Sequence, residues 1–186
     1  IMGAAKARRR YGNKLITSEA EHPAVLESFK RLKEEGFEIS LIGVDENCRI
    51  DMEQLKSEIN EDTILISLMK VNNETGTIQP VLEAAEQKKN ALFHTDAVQA
   101  FCRVPQSVHK ADMISISSHK IHGPKGAGAL WIKKGLNIKP LILGGGQENK
   151  FRSGTENVPA IAGFGIAAEK ASGGMVEKMK RVAGVR

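Results

Sequence analysis

The chain has 186 residues, of which 41% are apolar and 26% charged, a balance that excludes intrinsic disorder and supplies one domain with a substantial core. No apolar run approaches the length that crosses a membrane, and the basic start IMGAAKARRRYGNK lacks the apolar stretch and cleavage site of a signal peptide, so a cytoplasmic setting is the default expectation. The net charge of +5 is densest at Arg8, Arg9 and Arg10, yet aromatics are only 4%; little is available for base stacking, and no nucleic-acid partner is expected.

Residues 2–11 read as a helix ended by Gly12-Asn13, followed by a short strand, KLITS. His22-Pro23 opens a second helix, AVLESFKRLKEE, that stops at Gly36. Pro23 suits a first helical turn and Gly36 the position just past the end. Val25, Phe29, Leu32 and, less well, Lys33 give that helix one stripe. Strand FEISLIGV at 37–44 leads to a short helix around DMEQLKSEI. The run TILISLM at 63–69 reads as a strand buried on both faces, typical of a parallel sheet. After the loop VNNETGTIQP come a helix from about Val81, a strand ALFHT at 91–95, and a further strand MISIS at 113–117.

This alternation predicts an α/β fold with a mostly parallel sheet and helices on both faces. One junction differs. Only about ten residues separate MISIS from GALWI, too few for a helical crossover, so that pair is expected to be antiparallel and the sheet mixed. Asn157 or Thr155 is placed to cap a final helix from Pro159, and Gly173-Gly174 interrupts it. Cys48 and Cys102 form neither a disulfide framework nor a metal quartet, and no cluster has metal-ligand spacing.

Ligands of open α/β sheets bind beyond the carboxyl ends of the strands. Glu21-His22 follows KLITS, Asn72 to Thr75 follow TILISLM, Asp96 and Gln99 follow ALFHT, and Ser117, Ser118, His119 and Lys120 end MISIS. Taken singly, each has an ordinary explanation: His22 as a helix cap, Asn72-Asn73 as a turn, Asp96 as an N-cap, Lys120 as a solvated cation. Their coincidence on one rim favours chemistry. A lysine between a sheet and a glycine loop can form a Schiff base with an aldehyde cofactor. An aspartate facing a pyridine nitrogen keeps that nitrogen protonated and makes the ring an electron sink. Together they are the minimum a protein supplies for pyridoxal phosphate, with a serine and histidine beside the lysine suited to the phosphate and His22 to stacking or proton movement.

The motifs ITSEAEHPAVL, VNNETGTIQP, HTDAVQA, ISISSHKIHGPKGAGALW and GGGQENKFRSGTENVPAIAGFG resemble those of NifS/IscS-type cysteine desulfurases, in the class V aminotransferase group of fold-type I pyridoxal-phosphate enzymes, in order and at near-family spacing from about residue 1 to 171. The resemblance implies that Lys120 is the Schiff-base lysine, Asp96 the pyridinium partner, and His22 the ring that stacks on the cofactor and assists acid–base steps. By the same likeness Gln99 bonds the cofactor's phenolic oxygen, Asn73 lies near it and the substrate, and Ser117 and His119 contact the phosphate. Thr155, within RSGT beside Arg152, matches the threonine that reaches the phosphate of the neighbouring subunit. A homodimer, L-cysteine as substrate and a sulfur-acceptor or scaffold protein are implied as partners.

Such enzymes carry a phosphate loop before the first helix found here, and a small domain with the sulfur-accepting cysteine and a carboxylate-binding arginine after it. The expected organisation is therefore a large, cofactor-binding domain over 1–172, incomplete at its N-terminal end, and a shortened connection over 173–186. Cys48 and Cys102 do not match the sulfur-accepting cysteine, and the chain by itself is expected to turn over little or no cysteine. The retained motifs do not separate a desulfurase from a selenocysteine lyase or cysteine-sulfinate desulfinase, and a non-catalytic dimerisation or scaffold role remains the alternative of a different class.

Overall fold

The computed structural model describes residues 1–105 and 110–184. Its strands are β1 (Lys14–Ser18), β2 (Glu38–Ile42), β3 (Thr63–Ser67), β4 (Leu92–Asp96), β5 (Met113–Ser117) and β6 (Gly128–Ile132). They form one sheet in the order β2-β1-β3-β4-β5-β6. All neighbours pair parallel except β5 and β6, which run antiparallel from Met113↔Ile132 to Ser117↔Gly128, as the short junction requires.

Consecutive strand residues point to opposite faces, and the core follows that alternation. Ile16, Ile66 and Phe93 pack on one face against Leu55 of α3 (Met52–Glu58) and Val81, Ala84 and Ala85 of α4 (Val81–Glu86). Leu15, Leu65 and Leu92 pack on the other against Ala4 and Ala5 of α1 (Met2–Arg8) and Val25, Phe29 and Leu32 of α2 (Pro23–Glu34). Both faces are thus covered, which is why β1 and β3 are buried along their whole length. Phe93 is 1% exposed. Phe93→Ala is expected to lower unfolding stability by about 3–5 kcal/mol in a urea titration, and an unshifted midpoint would contradict its place in this core.

Several boundaries move from those read in the sequence. The strand expected at 37–44 ends at Ile42, because the Gly43 N–H is taken by the Gln54 side chain at 2.7 Å and Val44 keeps only an isolated bridge to Ile50. The run 63–69 is a strand only to Ser67, although Leu68 and Lys70 still donate backbone bonds to His94 and Asp96. The strand expected at 91–95 slides by one residue, placing Asp96 opposite Ser115 in the sheet. Lys33 does not share the buried stripe of α2; it is exposed.

The helix ends follow local chemistry. His22 caps α2, its Nδ1 accepting from the Ala24 N–H, and Gly36 turns the chain away at φ +87°. Asn157, not Thr155, caps α5 (Val158–Ser172), accepting from the Ala160 N–H. Gly173 and Gly174 separate α5 from α6 (Met175–Ala183). The last two residues of the expected 173–186 connection lie outside the described residues. Among the described residues no helix is long and apolar enough to cross a membrane.

A polar ladder crosses the sheet interior. His94 on β4 bonds Ser67 on β3 through Nδ1 and Ser115 on β5 through Nε2, both at 2.8 Å. Burial pushes the His94 imidazole down to about 3, so the ring is neutral at ordinary pH.

Candidate active site

The strand order places β1, β3, β4 and β5 side by side and parallel, so their carboxyl ends form one continuous rim. Hydrogen bonds stitch neighbouring tips together. The Glu21 carboxyl beyond β1 accepts from the Met69 N–H beyond β3 at 2.5 Å, and the Asn72 amide donates to the Ala20 carbonyl at 3.0 Å. Lys70 donates its N–H to the Asp96 carbonyl at 2.8 Å, and Ala97 donates to Ser115 at 2.9 Å. Residues far apart in the chain are thereby held in one polar surface.

Several of the expected site residues have an identifiable support. A 3-10 turn over Ser118–Ile121 carries Lys120, which is half-buried. The turn closes against Gly123, where a Cβ would lie 2.2 Å from the buried Ser118 Oγ, so only glycine permits this approach. Ser117 Oγ and His119 Nδ1 lie 2.7 Å apart at the mouth of the turn. Asp96 is half-buried and its Oδ1 accepts from the Val98 N–H at 2.9 Å. Gln99 follows one turn on, its Oε1 held by Arg103 at 2.7 Å.

The two asparagines divide their work. Asn72 is buried, and its Oδ1 accepts from the N–H groups of Glu74 and Thr75 at 2.8 and 2.9 Å. Asn72 therefore folds the loop that leaves Asn73 exposed to solvent beside it. His22 is exposed; because its Nδ1 is an acceptor for the helix cap, the proton of the neutral ring resides on Nε2. Thr155 is exposed on the loop before α5, and among the described residues no hydrogen bond joins it to these tips.

The rim is electrostatically unusual. Burial pushes Glu21 up to about 8, opposed by the bond from Met69 and reinforced by the nearby Asp96 charge. Burial also raises Asp96, with the Val98 bond and the proximity of His22 pulling the other way. Two carboxyls and an imidazole therefore influence one another here. Burial likewise depresses Lys70, a second lysine at a strand tip. Lys70 and Arg103 were not singled out from the sequence. Lys70 carried the same signal as Lys120, a cation ending a buried apolar run; Arg103 carried none.

The arrangement suits a small ring. A half-buried carboxyl whose ionised form is penalised gains most from a cation such as a protonated ring nitrogen. Lys120 offers an amine and Ser117–His119 offer donors. Among the described residues no group of His, Cys, Asp and Glu could hold a metal ion. A cavity of about 800 Å³ lined by Lys6, Arg8, Arg10, Lys133, Lys134 and Lys139 lies elsewhere, beside the starts of β4 and β5 and the end of antiparallel β6, hence on the opposite rim.

Residues 1–184 match the aminotransferase class-V family model. The chain belongs to that family. Among class-V relatives it is 47% identical over 190 residues to cysteine desulfurase IscS of Methanosarcina thermophila, covering all of this chain and 47% of that protein. A solved NifS-like protein superposes with a TM-score of 0.90 at 43% identity, covering 94% of this chain and 50% of that one. The solved structure of SspA in complex with cysteine gives 0.85 at 38% identity, covering 90% and 50%. The chain thus spans about half the length of the class-V proteins it matches.

Proposed function

We propose that residues 1–172 are the large, cofactor-binding domain of a pyridoxal-phosphate-dependent cysteine desulfurase of the cytoplasm. The observation that carries this reading is the rim itself: His22, Asp96, Gln99 and Lys120 lie at the carboxyl ends of β1, β4 and β5 along one edge of the parallel strands, in a chain similar to several cysteine desulfurases. The reaction converts L-cysteine to L-alanine; its C–S bond breaks, and the sulfur passes to an enzyme thiol as a persulfide for a sulfur-acceptor or scaffold protein. The cysteine held by the structural relative SspA supports that substrate class.

When bound, pyridoxal phosphate supplies an electron sink for the substrate's α-carbon. Lys120 Nζ would anchor it and, as a free amine, would hold or move a proton. The Asp96 carboxylate keeps the ring nitrogen protonated. His22 would stack over the ring, and the cap bond from Ala24 to Nδ1, which leaves the neutral ring's proton on Nε2, favours that nitrogen as the donor. Gln99 orients the ring through its phenolic oxygen, Asn73 lies beside it and the substrate, and Ser117 and His119 hold the phosphate. Thr155, exposed on the loop before α5, would serve the phosphate of the second subunit in a homodimer. Neither Cys48 nor Cys102 is assigned the sulfur-accepting role; burial raises the Cys102 thiol, the opposite of an activated nucleophile.

Incubating the chain with pyridoxal phosphate, reducing with borohydride and mapping the labelled peptide tests this. The label is expected at Lys120 and is lost in Lys120→Ala while the far-ultraviolet spectrum is unchanged. Labelling that persists in that variant, or its absence from the wild-type chain, removes the assignment.

A further inference from the structure

Arg103 reaches back from the turn that follows Gln99 and donates to two acceptors at once. Its Nη1 bonds Gln99 Oε1 at 2.7 Å, and its Nη2 bonds the main-chain carbonyl of Lys120 at 2.6 Å. Gln99 follows β4 and Lys120 follows β5, so one planar guanidinium spans the two strand tips that carry the ring-orienting amide and the anchoring amine. Lysine cannot reproduce this, because an ammonium lacks the fixed fork that addresses two acceptors in one plane.

The bond also settles which way the amide faces. A guanidinium only donates, so the group it touches on Gln99 must be the carbonyl oxygen. The Nε2 donor is then directed away from Arg103, and the amide cannot flip to present its oxygen without breaking a charge-assisted bond. We propose that Arg103 is a positioning residue that locks Gln99 as a donor toward an anionic oxygen of the ring and tethers the Lys120 turn to it. This rests on the pyridoxal-phosphate reading of the rim. It makes Nε2, not the oxygen already bonded to Arg103, the group that Gln99 turns to the ring.

Without Arg103 the amide rotates freely and spends part of its time presenting oxygen to an anion. The Lys120 carbonyl loses its cationic donor, and the turn that carries the amine loses its tether to the β4 tip.

Arg103→Ala and Arg103→Lys distinguish positioning from mere charge. In the cofactor-free chain, the Gln99 side-chain carbonyl carbon and amide protons are followed by NMR; both variants are expected to shift them, because neither retains the fork. In a pyridoxal phosphate titration both variants are expected to bind on the order of tenfold more weakly, as befits loss of a charge-assisted bond that fixes a ligand-facing donor. Unchanged Gln99 resonances in both variants, wild-type affinity in Arg103→Ala, or wild-type affinity restored by the charge alone in Arg103→Lys, overturn the proposal. A wild-type chain whose Gln99 resonances respond to Arg103 but which takes up no cofactor at Lys120 leaves the Arg103–Gln99 bond standing and overturns the ligand-directed role together with the reading of the rim. A circular-dichroism melt of each variant separates these effects from unfolding.

Discussion

Asp96→Asn is expected to leave the fold intact and to weaken retention of pyridoxal phosphate on the order of 100-fold, the equivalent of about 3 kcal/mol for losing one partner of a desolvated ion pair. The asparagine keeps the local geometry, since its Oδ1 can accept from Val98 N–H as the carboxylate does at 2.9 Å. What it removes is the negative charge. In the cofactor-free chain that charge is a liability, because burial already pushes the Asp96 carboxyl upward. The variant is therefore expected to match or slightly exceed wild-type resistance to urea while binding the cofactor poorly. This opposite movement of stability and affinity marks a residue whose favourable interaction is with a ligand rather than with the protein. Equal affinity of the two proteins in a fluorescence titration would remove Asp96 from the pyridinium role.

The second large effect is the pH dependence of stability in the cofactor-free chain. Glu21 is raised from 4.5 to about 8 on folding, so the folded state keeps a proton that the unfolded chain releases; its contribution is full below 4.5 and is lost as pH rises toward 8. His94 is lowered from 6.5 to about 3, so the unfolded chain takes up a proton that the buried ring refuses; its contribution is full above 6.5 and is lost as pH falls toward 3. Each slope has a ceiling of about 1.4 kcal/mol per pH unit. Between 4.5 and 6.5 the two oppose and stability from these groups is level; it declines on either side. Glu21→Gln, which retains an oxygen for the Met69 N–H, is expected to flatten the alkaline limb between 6.5 and 8, to leave the limb below 4.5 unchanged, and to turn the level stretch between them into a rise with pH. Urea midpoints across this range measure both limbs, and an alkaline decline that survives in Glu21→Gln would assign it to another group.

Much of the architecture was legible because it depends on patterns local to the chain. TILISLM is short, apolar and β-branched, so its strand character and double burial could be read directly. The ten residues between MISIS and GALWI left no room for a crossover, which fixed the antiparallel pair. Boundaries were less legible where a side chain from elsewhere intervened. Gln54 captures the Gly43 N–H and ends β2 early, and the register with β5 draws Asp96 into β4. Neither partner is visible in the local sequence.

The site divides in the same way. The residue types at the strand ends, Lys120, Asp96, Gln99, His22 and Asn73, were determined by the sequence, because strand-end positions follow from the order of elements and the motifs are contiguous. Which of those residues hold the site together was decided only by tertiary structure. Asn72 folds the loop while Asn73 stays open; His22 is both a helix cap and a rim residue; Glu21 is a buried neutral acid rather than a surface carboxylate; and Arg103 clasps two strand tips. Burial and hydrogen bonding across strands are properties of packed neighbours many residues apart. A chain read one residue at a time contains the groups, but the free energy of each proton and the direction of each amide are set by what folding brings beside it.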